Sequence, residues 1–152
     1  MDFISIEEFK KQPEKVQNSL KQWCENNLQE CDWVYLDKEQ IKLPIDSVMD
    51  TRKENIDVGR VFYIGKCLCW SSIYEPNIIP LLTEGQLRKF IIGKGYKYIG
   101  INNFLELENK ETWNIKAFKS MMQFKPDLEF VGDTALECCW KVVCEIAESK
   151  EI

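Results

Sequence analysis

The run from Asn77 to Ile92 constrains this chain most. An apolar segment stops at Pro80, a residue with no N–H to donate. Thr83 then stands at a helix N-cap, with Gln86 three residues later, the pattern of a capping box. Leu87, Phe90 and Ile91 follow at helical spacing. The spacing predicts a helix over Glu84–Ile92, with Gly93 as its stop and Gly95 as a further break. This helix start divides the chain into two halves of different texture.

In the first half, Ser5 and Glu8 match a second capping box. Pro13 can open a helix at its first position. Val16, Leu20, Trp23 and Cys24 then fall on one stripe, so a helix is expected from about Pro13 to Asn26. Asp32–Leu36 reads as a strand, with Val34 and Leu36 on one face and Trp33 and Tyr35 on the other. Ile41, Leu43 and Ile45 alternate, but Pro44 predicts a short or edge strand there. Asp46–Asp57 is polar and reads as a surface loop or one exposed helical turn, the best candidate for a mobile segment. Arg60–Ile73 is the longest strand-like run, apolar on both faces, with Gly65 as a bulge position.

In the second half, Tyr96–Ile101 alternates as a strand and Asn102-Asn103 suits a tight turn. Phe104–Glu108 reads as a half-exposed strand, Asn109-Lys110-Glu111 as a turn, and Trp113–Phe118 as the next strand. Pro126-Asp127 breaks the chain. Asp133 is placed to cap a last helix, Thr134–Ser149, whose stripe is Leu136, Cys139, Trp140, Val143, Ile146 and Ala147. These readings predict a single α+β domain over residues 1–152. A mostly antiparallel sheet of five or six strands is expected, packed with helices near 13–26, 84–92 and 134–149.

Residues Ile78–Ile91, IIPLLTEGQLRKFI, resemble a segment that recurs in small uncharacterised proteins of phages and prophages of low-GC Gram-positive bacteria. The order of helix, meander and closing helix (Asp133–Val143, DTALECCWKVV) is similar as well, so the resemblance covers residues 76–149. It implies a small α/β sandwich and a phage accessory protein acting on a host or phage protein. Inhibitors of host defence, anti-CRISPR proteins among them, are one such class. No catalytic motif comes with the resemblance.

The chemistry open to the chain is narrow. It contains no histidine, and so lacks the commonest general base and metal ligand. Seven cysteines with no export signal read as thiols of a reducing compartment, and the chain is expected in the host cytoplasm. Cys67-x-Cys69 and Cys138-Cys139-x4-Cys144 lack the spacing of zinc pairs, and cysteine stands next to tryptophan three times, so small buried thiols are expected. Asp46, Asp50, Glu54 and Asp57 do not follow a calcium-loop pattern. Glu108 and Lys110 have the E-x-K form of some metal nucleases, but Asp127 follows them where it should precede. No apolar run reaches the length of a membrane span.

A non-catalytic protein without cofactor or metal is therefore expected, working by contact with a host or phage protein and not with a membrane. The alternative is a module for nucleic acid or a small anionic ligand. It would use a basic-aromatic patch of Arg88, Lys89, Lys94, Tyr96, Lys97 and Tyr98. A net charge of −5 makes nucleic acid the less favoured partner.

Overall fold

A computed structural model describes residues 2–54, 59–64, 70–105 and 111–149. Among these the fold is α+β, with four helices and eight strands, and every strand pairing is antiparallel. The strands divide between a sheet of five and a sheet of three. The chain forms two compact units, Ser5–Leu81 and the combination of Met1–Ile4 with Leu82–Ile152.

The first unit begins with α1 (Ile6–Lys11), whose N-cap Ser5 accepts the Glu8 N–H. Helix α2 (Glu14–Asn27) follows Pro13 and buries Val16, Leu20 and Cys24 of the expected stripe, with Trp23 half-buried. Each large apolar side chain so buried contributes about 1.5–3 kcal/mol. Strands β1 (Trp33–Leu36), β2 (Ile41–Asp50), β3 (Arg60–Ile64), β4 (Trp70–Ser71) and β5 (Ile78–Pro80) form the sheet in the order β4-β3-β2-β1-β5. Arg60 ties β3 to the end of α2, donating to the Glu25 and Leu28 carbonyls at 2.9 Å each. A guanidinium at a helix C-terminus satisfies carbonyls that the helix leaves open.

Strand β2 corrects the reading of Pro44. It runs for ten residues in the sheet interior, with Pro44 inside it. Its first part pairs with β1, and pairing with β3 begins at Ile45. The Ile45 N–H donates to Asp32 at 2.8 Å, so the neighbouring Pro44 nitrogen points away from β1. The missing donor falls where the ladder does not require it. The register shifts between Ile45 and Ser47, leaving exposed Asp46 as the extra residue of a bulge. The polar segment after Ile45 is thus strand as far as Asp50, followed by a 3₁₀ turn over Thr51–Glu54. Asp57 lies outside the described residues. The long run from Arg60 is two paired strands, with Tyr63 opposite Trp70. Gly65, Cys67 and Cys69 lie outside the described residues.

The second unit holds α3 (Glu84–Gly93), β6 (Tyr98–Leu105), β7 (Glu111–Phe118), β8 (Leu128–Gly132) and α4 (Ala135–Glu148). The Thr83–Gln86 capping box is complete in both directions, and Leu87, Phe90 and Ile91 are buried. Gly93 is the last helical residue and Lys94 is the C-cap. It is Gly95, at φ +99°, that turns the chain. The Gly95 and Tyr96 N–H groups reach back to the Ile92 and Ile91 carbonyls, a Schellman closure. Strand β6 runs straight through Asn102 and Asn103, which pair with Asn114 and Trp113 on β7, so the expected turn is absent there. Asn103 also donates to the Glu111 carboxylate. Residues 106–110, with the E-x-K motif and the rest of the Asn109–Glu111 turn, fall outside the description apart from Glu111, which opens β7.

Strand β8 lies in a stretch read only as a break. It pairs with β7, giving the order β6-β7-β8. Helix α4 packs against β7, β8 and α3, and buries Cys138 and Val142 in addition to most of the expected stripe. Its N-cap is Thr134, which accepts the Glu137 N–H, while the Asp133 backbone N–H donates to the Glu137 side chain. Asp133 is therefore one residue short of the capping position.

Candidate functional site

The basic-aromatic residues singled out from the sequence all lie in the second unit, but they do not act as one group. Arg88 on α3 is tied to Glu84, one turn earlier, at 2.8 Å. Lys89 is exposed on the same helix. Six residues separate Arg88 from Lys94, about 9 Å of helix rise. Lys94 lies beyond the last turn with its ammonium 5.5 Å from the Phe90 ring centre. Tyr96 is half-buried, whereas Lys97 and Tyr98 are exposed as the chain enters β6.

Pairing in the sheet then brings in residues that sequence reasoning missed. Tyr98 stands opposite Phe118, the last residue of β7. The next residue, Lys119, places its ammonium 5.2 Å from the Tyr96 ring centre, a cation–π contact. Beyond it the β7–β8 loop carries Met121, Met122 and Phe124. All three are strongly exposed, and Phe124 is fully so. Three large apolar side chains on one short loop depart from the scattered single exposures of an ordinary surface.

The loop is held from within. The Asp127 carboxylate accepts the Lys119 backbone N–H at 2.7 Å and the Gln123 side-chain amide at 3.0 Å. The Gln123 side-chain oxygen accepts the Ser120 N–H at 2.7 Å, and the Asp127 N–H returns to the Ala117 carbonyl at 2.9 Å. These bonds to Lys119 and Gln123 hold the Asp127 carboxyl below the usual carboxylate range. Asp127, weighed from sequence as part of a nuclease motif, is the strut of this loop. Lys119, set against Tyr96, thus leads into an apolar tip of Met121, Met122 and Phe124. A signal for the loop was present in the sequence, since this segment ends at a turn-forming proline, Pro126.

Other candidate chemistry disperses. Cys24, Cys138 and Cys139 are buried, and burial raises all three thiols, that of Cys139 to about 12. The Cys138 thiol donates to the Trp113 carbonyl. Cys31 differs from the expected buried thiols, because it is exposed in a turn at φ 73°. Asp50 pairs with Arg52 at 3.0 Å, and that bond lowers its carboxyl pKa. Among the described residues, no three side chains of the metal-ligating types converge. A cleft of about 530 Å³ opens between the first turns of α3 and α4, with Trp113 in its wall. Its helix ends are already capped by Thr83 and Thr134, and Asp2 and Glu84 line it. Among the described residues, no helix is long and apolar enough to cross a membrane.

Comparisons with protein-family models, with curated proteins and with solved structures return no match.

Proposed function

We propose that this is a phage-encoded accessory protein that works by binding another protein of the host or the phage, without catalysis. Inhibition of a host defence system, of which CRISPR-Cas is one, is the role this reading favours. The observation that carries the binding part is the loop tip. Met121, Met122 and Phe124 are held in solvent by a loop ordered around Asp127. Exposed aromatic and methionine side chains on a preorganised support suit protein recognition, because little ordering entropy remains to be lost on binding. The phage origin rests on the resemblance of Ile78–Ile91 and of the layout that follows.

The test is affinity capture from host lysate with the native chain and with Phe124→Asp as paired baits. A protein retained reproducibly by the first and lost with the second supports the reading. Equal retention by both, or none by either, counts against it.

A second reading draws on the lysines around Tyr96. Lys94, Lys97 and Lys119 beside two tyrosines could serve a nucleic acid or a small anion. Binding of single-stranded DNA or RNA that weakens steeply with added salt would favour this reading over the first.

A further inference from the structure

We propose that the face of the three-stranded sheet turned away from α4 binds a single-stranded nucleic acid, whose bases stack on Tyr98 and Phe104. The register places on this face Tyr98 opposite Phe118, Gly100 opposite Lys116, Asn102 opposite Asn114, and Phe104 opposite Thr112. Ile115 and Ala117 alternate to the other side and are fully buried, and α4 packs against β7 and β8. Tyr98 and Phe104 are 39% and 43% accessible and Asn102 is exposed, so the face lies open. Gly100 stands in its middle, without a positive φ, and a Cβ added there would meet nothing within 4 Å. Neither torsion nor packing accounts for a residue that weakens a strand. A ligand backbone lying close against the sheet does.

The layout of the face selects the occupant. The rings stand at its two ends, about 20 Å apart along β6. Polar groups fill the middle, with Val131 at the β8 margin. A protein interface has the reverse order, an apolar centre inside a polar rim. Flat rings at intervals over a polar floor suit bases strung on a polar backbone. Charge then separates a nucleic acid from a neutral sugar. Lys116 lies between the rings, and Lys97 and Lys119 flank the Tyr98 end. Glu129, the one carboxylate on this face among the described residues, accepts the Asn114 amide at 3.1 Å and lies 3.9 Å from the Lys116 ammonium. With a chain charge of −5 the affinity comes mainly from stacking, so it depends only weakly on salt. The site rests on the second reading for its ligand class, moves the contact from the lysine cluster to the sheet, and uses no residue of the loop tip.

Fluorescence anisotropy of a labelled oligothymidylate about ten nucleotides long tests this, with circular dichroism as a check on folding. The native chain is expected to bind with a Kd of about 10–100 µM and a log–log salt slope of about −2, the share of three lysines. Tyr98→Ala and Phe104→Ala should each weaken binding by about tenfold, whereas Tyr98→Phe, which keeps the ring, should not. Gly100→Val should weaken it as much while leaving the fold at least as stable. Trp70→Ala removes an exposed ring of the other unit and should change nothing. A native chain that binds no oligonucleotide at about 100 µM overturns the proposal, and the second reading with it. Binding that the two alanine variants and Gly100→Val leave intact, or a slope of about −4 or steeper, keeps the lysine reading and overturns this one. A loss with Trp70→Ala as large as with Tyr98→Ala overturns it too. So does a host protein captured by the native chain and lost with Tyr98→Ala and Phe104→Ala, if no oligonucleotide binds.

Discussion

The Asp127 carboxylate accepts the backbone N–H of Lys119 at 2.7 Å, closing the β7–β8 loop from its far end. A residue eight positions along the chain thereby fixes where Met121, Met122 and Phe124 stand.

This closure is pH-dependent. The Asp127 carboxyl lies below its ordinary value in the folded chain, so its contribution is complete above the unfolded pKa of about 3.9. It is lost as the pH falls through the lower folded value. The Lys119 amide proton should therefore shift on acidification and lose protection relative to its intrinsic exchange rate at each pH. Asp127→Asn should show faster Lys119 exchange already at neutral pH, with the sheet amides unchanged. Exchange measured by NMR checks both.

Phe124 stands outside the core and should add little to the stability of the fold. Because the ring is fully exposed, Phe124→Ser should leave stability within about 0.5 kcal/mol of native. Phe90→Ala in the same unit removes a buried ring and should cost about 3–5 kcal/mol. Urea denaturation of the two variants separates these roles.

Two glycines at one helix end should respond in opposite directions. Gly93 is helical with open space around its Cα, so Gly93→Ala should stabilise by about 0.5–1 kcal/mol. Gly95 also has open space but sits at φ +99°, and Gly95→Ala should destabilise by about 1 kcal/mol. The same denaturation assay reads both signs.

Thiol reactivity should follow burial. A maleimide at neutral pH is expected to label the Cys31 peptide quickly, and the Cys24 and Cys138–Cys139 peptides only after denaturation. Because Cys139 is raised to about 12, the unfolded chain ionises this thiol first as the pH climbs past about 8.5. Stability should therefore fall from there up to about 12, as melts in that range would show.

The helices were legible because their signals are local. Thr83 and Gln86 lie within one turn of each other, and the stripe of α4 repeats within one element. The strands were legible as alternation but not as neighbours. Asn102-Asn103 has turn chemistry, yet it lies in mid-strand because β7 supplies Asn114 and Trp113 opposite. Pro44 looked disruptive because the sequence does not reveal on which side β2 is paired. Gly93 read as the stop and Gly95 as a further break, whereas the backbone hydrogen bonds from Gly95 and Tyr96 put the turn at Gly95.

The sequence by itself determined the α+β class, the three main helices and the lack of any histidine-based chemistry, all of which follow from residue type and short-range spacing. Only the tertiary structure decided that the strands form two sheets and that Tyr96 meets Lys119. Those outcomes depend on pairing between segments distant along the chain, and the free energy of such pairing is written in no single stretch of residues.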